Sequence, residues 1–254
     1  MDSTPPITLP VLTALDATTQ AFAALCYLAI AAGALMRAPS DIRTRVFFAF
    51  GLANIAAFAI PSLLWWKGIT DPAQAPRAAT ALVLAGLGVA ALLLFHFTQV
   101  FPRRRPWIRT SGFQVEIGYG LIPLTIIGLV LFFPKDVANI TPGYILGFLV
   151  FGFPLLVLLA VVLPVAAIVS LLKSYKESEN PDLLRARVPL AMILIGQIAG
   201  GALAMVFAPA LTAVAPNSGA VTVLTILMWI LGLLTPFAFA AAVWKYDVLA
   251  IAEE

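Results

Sequence analysis

Seven long apolar stretches, parted only by short polar breaks, dominate this sequence. They run at about residues 18–36, 46–66, 79–101, 111–133, 143–172, 188–214 and 219–244. A helix needs roughly 20 mainly apolar residues to cross about 30 Å of hydrocarbon. The runs are continuous rather than alternating, which favours helices over barrel strands. Apolar residues make up 62% of the 254 positions and charged residues 11%, with a mean hydropathy of +1.02. A soluble domain is about half apolar and a quarter charged, so the bilayer is the expected solvent. The expectation is an all-α polytopic membrane protein, a seven-helix transmembrane bundle over 18–246. Short tails at 1–17 and 247–254 flank it.

The breaks carry the charge, and they carry it unevenly. Arg37, Arg43 and Arg45 follow the first stretch; Arg103, Arg104, Arg105 and Arg109 follow the third. Lys173, Lys176, Arg185 and Arg187 follow the fifth, and Lys245 ends the seventh. Twelve of the 15 basic residues therefore share one side. Lys67, Arg77 and Lys135 fall on the other. Short loops rich in Lys and Arg stay in the cytoplasm. The N-terminus is expected outside and the C-terminus inside, which requires an odd number of spans. The same placement explains the pI of about 9.2 without nucleic acid as a partner. No basic segment precedes the first apolar stretch, so no cleavable signal peptide is expected.

Pro154 and Pro164 are expected to kink the long fifth span. Gly143/Gly147 and Gly196/Gly200 have the small-xxx-small spacing that lets helices approach closely. They are read as helix-packing positions, with homo-oligomer contacts as the alternative. Trp65, Trp66, Trp107 and Trp244 lie near span ends, as an interfacial aromatic belt would.

Polar residues inside spans are the usual pointers to function in a bilayer. His96 and Gln99 lie near the basic end of the third span, and Glu116 lies a similar distance into the fourth. The two spans are joined by a short loop, so a His96–Glu116 contact is expected beside Arg103, Arg104, Arg105 and Arg109. Pairing lowers the cost of burying a carboxylate. The site is either a hydrogen-bonded staple or a proton-sensitive or ligand-binding one. Asn54 and Gln197 are read as interhelical hydrogen-bonders.

Other chemistry is excluded by what the residues lack. His96 is the only histidine, so bis-histidine haem and multi-histidine metal sites are ruled out. Axial ligation of a single pigment or haem by His96 is left open; no cofactor is required. The last span has no central lysine for a retinal Schiff base. No nucleotide-binding loop, metal-ligand cluster or serine or cysteine nucleophile with a histidine partner occurs. Cys26, the one cysteine, sits within an apolar stretch as a small packing residue.

Two segments carry a family likeness. One is His96-Phe97-Thr98-Gln99-Val100-Phe101-Pro102, followed by Arg103-Arg104-Arg105-Pro106-Trp107. The other is Pro236 through Ile251, PFAFAAAVWKYDVLAI. They resemble the third-span exit and the last helix of the seven-helix N-terminal sensor region of bacterial membrane histidine kinases. Asp247 stands where that family usually has a second basic residue, and Ala250 where an acidic one is common. The resemblance implies the same span count, N-out orientation and a bacterial cytoplasmic (inner) membrane. It implies the membrane module alone: no phospho-acceptor helix or ATP-binding domain follows, so kinase activity is not carried over.

The expected role is non-enzymatic, exercised through another protein. One version is a sensor-like module relaying to a separate cytoplasmic output protein. Another is an accessory subunit of a larger respiratory or photosynthetic membrane complex, packing lipids, helices or pigments. A small carrier or channel is the alternative, disfavoured by polar-poor span interiors.

Overall fold

The computed structural model describes residues 14–69, 75–105, 119–131, 141–179, 181–203 and 219–251. Among these residues the fold is all-α, with seven helices. They are α1 (Ala14–Arg37), α2 (Ile42–Trp66), α3 (Arg77–Val100), α4 (Tyr119–Leu131), α5 (Pro142–Glu177), α6 (Leu183–Ala202) and α7 (Gly219–Lys245). Six are long and apolar enough to cross a membrane, and α4 is described over a shorter apolar segment. The protein is an integral membrane helical protein on that basis. The expected fourth span, 111–133, is described only from Tyr119. The fifth helix runs further than expected, to Glu177, because Lys173 and Lys176 continue the helix instead of ending it.

Prolines shape these helices in a repeated way. A five-residue π segment ends two residues before the proline in three places. These are Ile55–Ala59 before Pro61, Phe148–Gly152 before Pro154, and Leu158–Val162 before Pro164. Proline lacks the N–H that would bond back to residue i−4, and its ring clashes with that carbonyl. Widening the preceding turn to i→i+5 bonding accommodates both defects without breaking the helix. The expected irregularity at Pro154 and Pro164 thus takes the form of π turns.

The helices pack as a closed ring among the described residues. α1 lies against α2 and α7, α2 against α3, α3 against the C-terminal half of α5, α5 against α6, and α6 against α7. α4 attaches through Ile122 and Ile126, which pack with Ala85, Leu92 and Leu163. Small residues set the close contacts. A Cβ on Gly51 would sit 3.2 Å from the Ala31 Cβ, and one on Gly86 would sit 3.0 Å from the Ala57 nitrogen.

Burial is concentrated toward the end of the bundle that carries most of the arginines. Phe47, Phe97, Phe101 and Phe239 are fully buried there. The Phe47 and Phe239 rings lie 4.0 Å apart, and Phe97 meets Phe239 edge-on at 5.3 Å. Three helices, α2, α3 at its exit and α7, therefore converge on one aromatic cluster.

Candidate functional site

Directly beyond that aromatic cluster lies a buried arginine. Asp41 is the N-cap of α2, and its carboxylate accepts the Arg43 backbone N–H at 2.8 Å. Asp and Asn are favoured at this position because the carboxylate satisfies one of the helix's orphan donors. Here the same carboxylate also binds the side chain two residues on. Arg43 Nε donates to Asp41 Oδ1 at 3.0 Å and Nη2 to Oδ2 at 2.6 Å. The remaining donors leave the helix altogether. Nη1 donates to the carbonyls of Pro102 at 2.8 Å and Val248 at 3.2 Å, and Nη2 to that of Leu249 at 2.9 Å.

Arg43 is only 2% exposed. A guanidinium has five N–H donors and no acceptor, and all five are directed at acceptors here. A buried charge is tolerated when it is paired and its donors are satisfied. The arrangement ties the start of α2, the exit of α3 and the segment after α7 into one unit. The segments 96–107 and 236–251, far apart in sequence, meet on this one side chain.

A second arginine extends the tie to α5. Arg105 donates from Nη1 to Glu177 Oε1 at 3.0 Å and from Nη2 to Ser174 Oγ at 2.9 Å. Its backbone N–H returns to the Gln99 carbonyl at 2.9 Å, folding the arginine run back on its helix. Ser170 Oγ donates to the Thr98 carbonyl at 3.1 Å. At the edge, Arg37 pairs with Asp247 at 3.4 Å, and the Arg187 guanidinium lies over the Tyr175 ring at 5.5 Å. Arg103 is exposed and Arg104 half-buried.

His96 is buried, and its Nδ1 is hydrogen-bonded to the Tyr119 hydroxyl at the start of α4. The expected partner, Glu116, lies outside the described residues, as does Arg109. The α3–α4 bridge is thus seen through Tyr119, three residues on from Glu116 in the sequence. Gln99 is buried beside it, with Nε2 on Thr98 Oγ1 at 3.1 Å.

The other expected positions divide. Gln197 Nε2 donates across to Thr235 Oγ1 on α7 at 2.9 Å. Asn54 instead turns back on its own helix, donating to the Phe50 carbonyl at 2.7 Å, next to the first π turn. Its amide nitrogen is taken up locally, and it forms no interhelical bond among the described residues. A Cβ on Gly196 would lie 2.8 Å from the Leu231 carbonyl oxygen, and one on Gly200 3.6 Å from the Leu231 Cβ. The α6–α7 approach runs over these glycines. Among the described residues no other helix comes within 4 Å of the corresponding points at Gly143 and Gly147 on α5.

No metal centre is assembled: among the described residues no three His, Cys, Asp or Glu side chains converge. The arrangement is a set of fixed hydrogen bonds between helix ends. Sequence reasoning counted Arg43 only as a topological charge, placed Arg105 in the basic loop beside His96, and overlooked Asp41, Tyr119 and Glu177 as partners. The Asp-x-Arg spacing after Pro39-Ser40 was the available signal, since it marks a capping carboxylate with an arginine in reach. No protein-family model, curated protein or solved structure matches this chain.

Proposed function

We propose that this protein is a non-enzymatic membrane module that acts through a partner protein. Its N-terminus lies outside, the arginine-rich end faces the cytoplasm, and seven helices cross the membrane. The observation that carries this reading is the Arg43 tie. It joins the segment after α7 to α2 and α3. A displacement of those helices is passed to the C-terminal segment through hydrogen bonds rather than through a mobile linker. That is the mechanical requirement of a sensor-like module which relays a membrane or external signal to an output protein.

A second version, an accessory subunit of a larger membrane complex, draws on α5. Tyr144, Ile145 and Leu146, then Phe148, Leu149, Val150 and Phe151, are all exposed. They span two helical turns and so cover the whole circumference. A helix bare on every side among the described residues offers a face for a neighbouring chain.

Purification of the native protein in mild detergent, with mass spectrometry of co-purifying chains and an absorption spectrum, separates the versions. A sensor-like module brings a soluble output protein. An accessory subunit brings membrane chains. A protein that purifies alone and moves a solute in proteoliposomes is a carrier, and the proposal fails.

A further inference from the structure

A groove of about 660 Å³ lies between α3, α4 and α5, and its walls are almost wholly apolar. It is lined by Leu84, Leu87 and Ala91 on α3 and by Leu155, Leu156 and Ala160 on α5. The single charged residue lining it is Arg77, at the first turn of α3. Arg77 donates from Nη1 to the Leu131 carbonyl at 3.2 Å, which holds the guanidinium across the end of α4. Among the described residues this uses one of its five donors.

The dimensions narrow the choice of occupant. From Arg77 to Ala91 the groove follows α3 for about 21 Å at roughly 1.5 Å rise per residue. One leaflet supplies about half of the ~30 Å hydrocarbon thickness. The groove thus begins at the interface opposite the arginine-rich end and reaches somewhat past the membrane centre. This is the path of one acyl chain anchored by a headgroup in that leaflet. The volume lies within the roughly 300–1,000 Å³ of ligand-binding clefts. A guanidinium at the mouth matches a phosphate, which it binds through paired, charge-assisted hydrogen bonds.

We infer that this groove is a binding site for an anionic phospholipid, with its phosphate on Arg77 and one acyl chain between α3, α4 and α5. Arg77 selects the headgroup, and the small side chains of Ala91 and Ala160 leave room for the chain. The inference stands on the groove alone and is independent of which partner the protein serves.

The full-length protein, in detergent, is titrated with phosphatidylglycerol or phosphatidylcholine and bound lipid is counted by native mass spectrometry. The intact protein is expected to retain phosphatidylglycerol in preference to phosphatidylcholine. Arg77→Gln should weaken phosphatidylglycerol retention by roughly tenfold, the loss of one charge-assisted contact, and abolish the preference. Lys67→Gln, which removes a cation from the same membrane side outside the groove, should keep it. Ala160→Phe should lose retention of both lipids. A second arm uses the unaltered protein and needs no variant to fold: phosphatidylglycerol with a photoreactive group on its acyl chain should crosslink within Leu84–Ala91 and Leu155–Ala160. Equal retention of the two lipids, an unchanged preference in Arg77→Gln, or crosslinks confined to other helices overturns the proposal.

Discussion

Arg43 Nη1 lies 2.8 Å from the Pro102 carbonyl oxygen, joining residues 59 positions apart. The contact is buried, and the same guanidinium reaches the carbonyls of Val248 and Leu249. Removing it strands three backbone acceptors and the Asp41 carboxylate together. Breaking a buried pair by deleting one partner typically costs about 3–5 kcal/mol. Arg43→Ala is therefore expected to lower the thermal unfolding temperature in detergent sharply. Arg43→Lys should recover only part, because an ammonium keeps the charge but not the planar fork. Equal stability of Arg43→Ala and the parent would mean the tie contributes nothing.

The arginine pair at α5 should behave differently. Glu177 is 42% exposed on its side chain, so its bond to Arg105 is screened by water. Exposed ion pairs contribute about 0–1 kcal/mol. Glu177→Gln is expected to change unfolding little, and that change should shrink at high salt. Arg105→Ala should cost more, since it also releases Ser174 Oγ and the α3–α5 contact.

Close packing of α6 on α7 gives a graded test. At Gly196 even one methyl group meets backbone at 2.8 Å, whereas at Gly200 the nearest atom is 3.6 Å away. Gly196→Ala should destabilise by about 1–3 kcal/mol, the range for overpacking, while Gly200→Ala is accommodated. Gly143→Ala and Gly147→Ala, with no other helix near among the described residues, should be neutral or slightly stabilising through helix propensity. Thermal unfolding of the four variants ranks them.

The orientation is tested by labelling in intact cells with Cys26→Ser as the background. Lys67→Cys should react with a membrane-impermeant maleimide added outside. Arg103→Cys should react only after permeabilisation. The reverse pattern would invert the topology.

How much of this was legible in the sequence depended on the range of the interaction. Helix positions follow from local composition, so six of the expected stretches reappear as long apolar helices. Pro154 and Pro164 marked where α5 departs from regularity, although not that each departure is a π turn. The Arg43 site was hidden because its acceptors are backbone carbonyls, which leave no mark on the residue types at 102, 248 and 249. A solvated loop arginine and a buried one look alike until the distant strands of chain are placed. Gln197 was legible as an interhelical hydrogen-bonder because it is a polar residue in an otherwise apolar helix, although its partner Thr235 was not named by that signal. His96 was singled out as a lone intramembrane histidine, but Tyr119 was not, because tyrosine is unremarkable near a span end.

The proposed relay through the Arg43 tie places the partner protein at the arginine-rich end. Lys173 and Lys176 project from the exposed part of α5 at that end, whereas Lys67 lies at the opposite one. Lysine-reactive crosslinking of native membranes, followed by mass spectrometry, addresses the claim directly. The account predicts crosslinks from Lys173 or Lys176 to one recurrent partner chain, lost in Arg43→Ala. Recurrent partner crosslinks from Lys67 alone, or none from either end in membranes where the protein is intact and abundant, would contradict it.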